Sequence, residues 1–267
     1  MHLRALYRYP LKSARGEALQ TSSLDLLGLS GDRRWLLVER DNGRFLTQRM
    51  FPQMSQLTAL HSADGSLTLQ AAGRPALQVA VPQPDDDLRG ITIWRDTFRV
   101  PDAGDTAAQW LSDFIGKDVR LVHVPEQRAR FLPSGYGLIG DRVAFADGFP
   151  LLLIGQASLD DLVARVGRPL EMLRFRPNLV VEGAVAFAED GWKRIRIGEM
   201  EFRVLKPCER CIMTTIDPQT GERSADREPL ETLRTYRQKE GGVLFGQNLV
   251  ADGAGVLEVG MAVTVLE

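Results

Sequence analysis

Apolar and polar residues alternate through most of the first hundred positions, which is the period of half-buried strands. Residues 3–9 alternate and stop at Pro10, and residues 18–24 repeat the pattern before a turn over 26–31. The apolar centre of residues 32–40 reads as a buried strand. Asp41-Asn42-Gly43 then supplies a hairpin turn, with 44–48 as its return strand. Short strands follow at 57–60, 67–70 and 77–81, then an exposed acidic loop with Asp85, Asp86 and Asp87. Residues 91–95 and 97–100 form a further hairpin with Asp96 near its turn. The period changes at 105–115 to helical spacing, with Asp105 or Thr106 as cap and Gly116 as stop. A strand over 119–124, a glycine-rich basic segment over 127–137 and a buried run over 151–154 come next. The basic segment is either a loop over a site or a plain connection. A helix over 158–166 is capped by Ser158, a strand over 173–181 is interrupted by Pro177, and 222–239 holds a turn and a short helix. The chain is therefore mostly β with some α, and the strand-only pattern ends near residues 116–125.

Composition narrows the class. With 44% hydrophobic and 25% charged residues the chain belongs among globular proteins with a sizeable core. Thirty-three basic against 35 acidic residues give a net charge of −2, so no global field favours a nucleic-acid polymer or an anionic membrane. No apolar run approaches the ~20 residues of a membrane helix, and the first residues lack a signal-peptide pattern. These features lead to the expectation of a cytoplasmic protein.

The densest chemistry lies in Lys206-Pro207-Cys208-Glu209-Arg210-Cys211-Ile212-Met213-Thr214-Thr215-Ile216-Asp217-Pro218-Gln219-Thr220-Gly221, which holds both cysteines of the chain. A zinc site needs about four ligands, and His2, His61 and His123 are scattered singly. A thioredoxin-like pair should open a helix, whereas the β-branched residues 212–216 read as a strand leading to a hairpin. An inert buried thiol is the bland alternative, and the adjacent Lys206 and Arg210 count against it because nearby cations favour thiolate. Elsewhere, Lys12 and Arg15 sit at a strand-to-loop junction, as solvated cations or as part of a site. Arg33 beside Asp32 is either an ordinary ion pair or a fork for an oxyanion.

Together these stretches resemble the MOSC domain family, the module shared with molybdenum cofactor sulfurases. The branch most similar is that of the YcbX-like proteins and the mitochondrial amidoxime reducing components. Tyr9-Pro10-Leu11-Lys12-Ser13 and Gly31-Asp32-Arg33-Arg34-Trp35 match that branch's N-terminal extension. Phe175-Arg176-Pro177-Asn178, the cysteine stretch and Leu244-Phe245-Gly246-Gln247-Asn248-Leu249 match its catalytic half. The resemblance implies two β-barrel-like units, an N-terminal barrel domain over 1–118 and a MOSC domain over 119–267.

It also implies a molybdenum cofactor, independent of pyridoxal phosphate, whose metal takes Cys211 as its protein ligand. Soft sulfur suits such a metal, and Arg210 would favour the deprotonated thiol. Lys12, Arg33, Arg176 and Asn178 are implied as contacts to the anionic pterin, with Arg210, the backbone of Gly148 and Phe149, and more loosely Thr47 and Arg49. Asn248 falls beside the metal, and Cys208 has no assigned role. The implied reaction is two-electron reduction of hydroxylamines, N-hydroxylated bases or amidoximes, in which reduced molybdenum takes the oxygen and water leaves. No cysteine-rich iron–sulfur segment follows, so electrons are expected from a separate ferredoxin- or flavin-reductase-like donor. The rival functions are a sulfur carrier with a persulfide on Cys211, which needs no pterin cradle, and a noncatalytic cofactor-binding protein.

Overall fold

The computed structural model describes every residue of the chain except Glu240. Its largest sheet runs in the order Glu17–Leu19, His2–Arg8, Leu179–Glu182, Leu151–Gly155, Gly242–Ala251, Met200–Arg210, Arg194–Ile197 and Val263–Val265. Neighbours are antiparallel except Leu151–Gly155 and Leu179–Glu182, which are parallel. A parallel pair needs a long crossover, and helix Gln156–Val166 lies on it. The run at 151–154 is apolar throughout because both faces of its strand are covered. Leu151 and Leu153 join one core with Leu3, Leu179 and Phe202, while Leu152 and Ile154 join another with Phe175, Leu233 and Phe245.

The first half of the chain adds the pair Trp35–Glu39 with Val119–His123, the sheet of Thr58–His61, Leu67–Gln70 and Leu77–Val79, and the hairpin Leu88–Ile93 with Asp96–Pro101. Helix Asp105–Ile115 packs Ala107, Leu111 and Ile115 onto a core containing Trp35, Leu37 and Leu69. The two halves share ladders: His2–Arg8 pairs with Leu179–Glu182, and Gly255–Glu258 pairs with Thr21–Asp25. The fold is mostly strand with short helices, as expected, and among the described residues each sheet is an open ladder.

Local expectations differ in five places. Residues 212–216 form a 3-10 turn, Ile212–Thr215, in place of a strand. The Thr214 and Thr215 hydroxyls donate to the carbonyls of Cys211 and Ile212, at 3.0 and 2.7 Å, and hold the chain curled against β propensity. Residues 173–181 break into a 3-10 turn, Met172–Phe175, then Arg176 at φ 54°, then the strand Leu179–Glu182. Ser158 lies inside its helix, because its hydroxyl donates to buried Glu189 at 2.7 Å and is unavailable as a cap. Helix Asp105–Ile115 has no side-chain cap bond, and the Asp105 carboxylate instead accepts from Arg120 at 2.5 Å. The return strand after Gly43 reduces to an isolated bridge between Val38 and Phe45. The next hairpin forms as expected, turning over Trp94 and Arg95 directly before Asp96.

His61 and His123 are packing residues, the latter with its ring 4.7 Å from Trp35. Burial, then the nearby Arg34, with Arg8 also acting on His61, pushes each imidazole down to about 4 from its ordinary 6.5. Both therefore stay neutral in the folded chain while the unfolded chain takes up protons below about pH 6.5. Stability from this source is complete above pH 6.5 and is lost as pH falls toward 4, by a few kcal/mol for the pair at about 1.4 kcal/mol per pKa unit. Calorimetric Tm measured from pH 7 to 4 should fall steeply, and the double change His61→Gln and His123→Gln should flatten that limb. An unaltered limb would contradict this assignment.

Candidate functional site

The Met200–Arg210 and Gly242–Ala251 strands form the back wall of a cleft of about 310 Å³. Their register shifts between Val204 and Lys206 and again between Pro207 and Glu209. The first shift adds Leu205 to this strand, and the second adds a residue to the facing strand, at Phe245-Gly246; Pro207, which has no N–H for the ladder, stands between them, and Cys208 borders the cleft. On the facing strand Gly246 has φ 83°, and a Cβ there would lie 2.7 Å from Ile154 and 2.8 Å from the Leu153 carbonyl. Only glycine lets the strand pass so close. Two residues later Asn248, opposite Leu152 on one side and Lys206 on the other, is half-buried on the cleft wall.

Three non-glycine residues at positive φ, Ser13 at 67°, Arg33 at 48° and Arg176 at 54°, border the same cleft. Such backbone costs on the order of 1 kcal/mol or more per residue and gathers where a side chain must be aimed. Tyr9, fully buried, lies between two of them, with the guanidinium carbons of Arg33 and Arg176 at 4.4 and 4.1 Å from its ring centre. Its hydroxyl donates to the Pro177 carbonyl at 3.1 Å. Arg33 donates to Asp32 at 2.5 Å, to the Asn178 amide oxygen at 2.9 Å and to the Arg176 carbonyl at 3.1 Å. Asn178 is fully buried, accepts also from the Leu152 N–H and donates to the Tyr7 carbonyl, so its amide acts as a staple that positions Arg33.

All eleven residues singled out from the sequence border the cleft: Lys12, Arg33, Thr47, Arg49, Gly148, Phe149, Arg176, Asn178, Arg210, Cys211 and Asn248. The thiol partners differ from expectation. Arg210 Nη1 donates to Cys208 Sγ at 3.0 Å and its Nη2 to the Phe175 carbonyl at 2.6 Å. Residues two apart on a strand share a face, which is why Arg210 meets Cys208. The donor to Cys211 Sγ is Arg49 Nε at 3.4 Å, and Arg49 in turn stacks 5.0 Å over Trp94.

Sequence reasoning missed Asp147 and Arg174. Asp147 accepts from Lys12 Nζ at 2.6 Å and from Trp94 Nε1 at 3.2 Å. The crowded cleft walls push its carboxyl up although it opens to solvent, and Lys12, Arg49 and Trp94 together outweigh this and hold it well below the usual carboxylate range. Nothing in an Asp-Gly pair distinguishes it from an ordinary turn. Arg174 did leave a signal, since it stands two residues before Arg176 in Arg-Phe-Arg and such spacing places both on one face of extended chain. The cleft thus gathers six cations, Lys12, Arg33, Arg49, Arg174, Arg176 and Arg210, against two carboxylates, Asp147 and Glu209. Burial draws Lys12 down to about 8, against the opposing pull of Asp147. Lys12 is therefore charged below about pH 8 and neutral above it. Binding of pyrophosphate to the cofactor-free protein should weaken as pH rises from 7 to 9.5, and Lys12→Arg should remove that dependence. A flat wild-type profile by calorimetry would contradict it.

Among the described residues no three His, Cys, Asp or Glu side chains converge to hold a bare metal ion, and no helix is long and apolar enough to cross a membrane. Several buried guanidinium nitrogens at the cleft have no partner among the described residues: Arg174 Nε and Nη1, Arg176 Nη2 and Arg210 Nε. Unpaired buried N–H groups of cations call for an anionic acceptor.

Comparison with known proteins agrees with this geometry. The MOSC N-terminal beta barrel domain matches residues 1–118 and the MOSC domain residues 140–264. Mitochondrial amidoxime-reducing component 1 of Mus musculus is 35% identical, over 98% of this chain and 81% of its own length. The Homo sapiens protein of that name is 34% identical, over 98% and 82% respectively. A molybdenum cofactor sulfurase of Oryza sativa is 32% identical over 92% of this chain, which spans 32% of that longer protein. An N-terminal beta barrel domain followed by a MOSC domain, carried by relatives aligned along nearly the whole chain, places this protein in the MOSC family of the amidoxime-reducing components.

Proposed function

We propose that this protein is a molybdenum-cofactor-dependent reductase of N-oxygenated compounds, including hydroxylamines, N-hydroxylated bases and amidoximes. The observation that carries this reading is the convergence of Cys211 with six cations, several of whose buried N–H groups lack partners, in one cleft. The relatives named for amidoxime reduction support the same substrate class. The donor set fits an anionic pterin bearing a thiolate-loving metal: Cys211 would hold the metal, while Lys12, Arg33, Arg176 and Arg210 would hold the anion. When bound, the cofactor supplies two-electron redox chemistry.

The chain's own residues supply the rest. Reduction of R–NHOH to R–NH₂ and water consumes two electrons and two protons. Lys12, with its pKa at about 8, holds a proton at neutral pH, 2.6 Å from Asp147, whose exposed carboxylate joins it to solvent. Arg49 fixes the Cys211 sulfur from one side. Asn248 presents an amide able to orient a polar N–O group, and Phe149, whose ring lies 5.6 Å from that of Tyr136, adds an apolar surface to the same cleft. Electrons come from a separate protein of the ferredoxin or flavin-reductase kind. A sulfur carrier would need Cys211 but no cradle of cations, which is why that reading ranks second. Protein purified with its cofactor and given a chemical reductant should convert benzamidoxime and hydroxylaminopurine to the amidine and the amine. Bound molybdenum without turnover of any N-oxygenated compound would favour storage or carriage.

A further inference from the structure

The hairpin of Leu88–Ile93 with Asp96–Pro101 turns over two residues, Trp94 and Arg95, and Trp94 has φ 55°. A two-residue loop with positive φ at its first position favours glycine there, because a Cβ is crowded in that conformation. Tryptophan is a poor residue for such a turn. Burial does not account for it either, since Trp94 is 46% exposed. Backbone strain kept at a largely exposed aromatic points to a task for its side chain.

That side chain touches two residues of the cleft. The Arg49 guanidinium carbon lies 5.0 Å over its ring centre, and its Nε1 donates to Asp147 Oδ1 at 3.2 Å. Phe45 meets the indole edge-on, with ring centres 5.1 Å apart, and fixes its tilt. Arg49 has two acceptors within reach. Its Nε donates to Cys211 Sγ at 3.4 Å, while its Nη2 stays 4.0 Å from Asp147 Oδ2. An unrestrained guanidinium would close on the carboxylate with two parallel bonds, because a pair of charged oxygens is the better match for its planar fork. The indole opposes that closure twice. It stacks on Arg49, and it occupies Asp147 Oδ1, which also accepts from Lys12 at 2.6 Å.

We propose that Trp94 is a positioning residue that keeps Arg49 on the Cys211 sulfur and off Asp147. A hairpin tip in the first half of the chain thereby sets the surroundings of the cysteine in the second. The placement of Arg49 rests on these contacts alone. That it governs turnover rests on the proposed reductase function.

The test begins with cofactor-free protein carrying isotope-labelled arginine, in which the NMR signal of the Arg49 Nε–H is identified by its loss in Arg49→Lys. Held on sulfur, this proton should exchange slowly with solvent in wild type and about tenfold faster in Trp94→Gly. Glycine suits the turn, so Trp94→Gly should keep a Tm close to that of wild type, which separates positioning from a merely structural role. Trp94→Phe keeps a ring beneath Arg49 but lacks the N–H to Asp147, and its exchange rate should fall between the two. In protein purified with its cofactor and given a chemical reductant, Trp94→Gly should lower kcat for benzamidoxime about tenfold and change KM less than about twofold. It should add nothing to the loss in Arg49→Ala, because both changes remove the same interaction. Wild-type exchange at Arg49 in folded Trp94→Gly, or additive losses in the double variant, would overturn the inference and leave the reductase reading intact. Faster exchange at Arg49 in a chain that binds molybdenum yet reduces no N-oxygenated compound would keep the positioning and sink the reductase reading.

Discussion

Cys211→Ala is expected to abolish reduction of N-oxygenated substrates, lowering kcat/KM by at least about a thousandfold, roughly 4 kcal/mol of transition-state stabilisation. Cys211 caps the Ile212–Thr215 turn at the floor of the cleft, and its sulfur is already met by Arg49 at 3.4 Å. Alanine removes the sulfur and leaves the cations in place. The variant should therefore fold normally and retain part of its pterin while losing most of its molybdenum. Cys208→Ala is the matched control. Its sulfur is bonded to Arg210 and packs beside the core around Phe175 and Phe245, so its removal should cost activity only severalfold. Equal losses in the two variants, measured as kcat/KM with a chemical reductant, would remove Cys211 from its special place.

Arg33→Ala should carry the largest stability cost of any substitution in the site. The Arg33 and Asp32 side chains are 11% and 1% exposed, so alanine strands a buried carboxylate. It also releases the Asn178 amide and the Arg176 carbonyl, both acceptors of Arg33. Breaking a buried pair on one side costs about 3–5 kcal/mol, which for a chain of this size lowers Tm by on the order of 10 °C. Arg33→Lys keeps the charge but loses the planar fork and should fall between. Chemical denaturation of the three proteins measures this directly, and a change below about 1 kcal/mol for Arg33→Ala would show that Asp32 finds another partner or protonates without penalty.

How much of this was legible in the sequence depends on the residue. The positions that converge on the cleft stand in short ordered motifs, and at Gly246 the residue type is dictated by a close backbone approach. Those motifs could be read without coordinates. The pairing of Arg49 with Cys211 and of Arg210 with Cys208 could not, because it depends on the register shift opposite Cys208 and on a contact 162 residues away in sequence. The strand expected at residues 212–216 failed because threonine carries two tendencies. Its β-branch favours extended chain, while its hydroxyl bonds the preceding turn, and here the second prevailed. Ser158 looked like a cap, and burial of Glu189 reassigned its hydroxyl. Asp147 left no mark, since a carboxylate before glycine is common in turns and only the arrival of Lys12, 135 residues away, gives it a partner.

The central claim is that the cleft binds an anionic pterin whose metal is held by Cys211. Wild-type protein made in a host proven to load other molybdoenzymes should be analysed for molybdenum and extracted pterin per chain. Close to one of each is expected, with the metal but not all of the pterin lost from Cys211→Ala. Wild-type protein that carries neither molybdenum nor pterin from such a host would contradict the account.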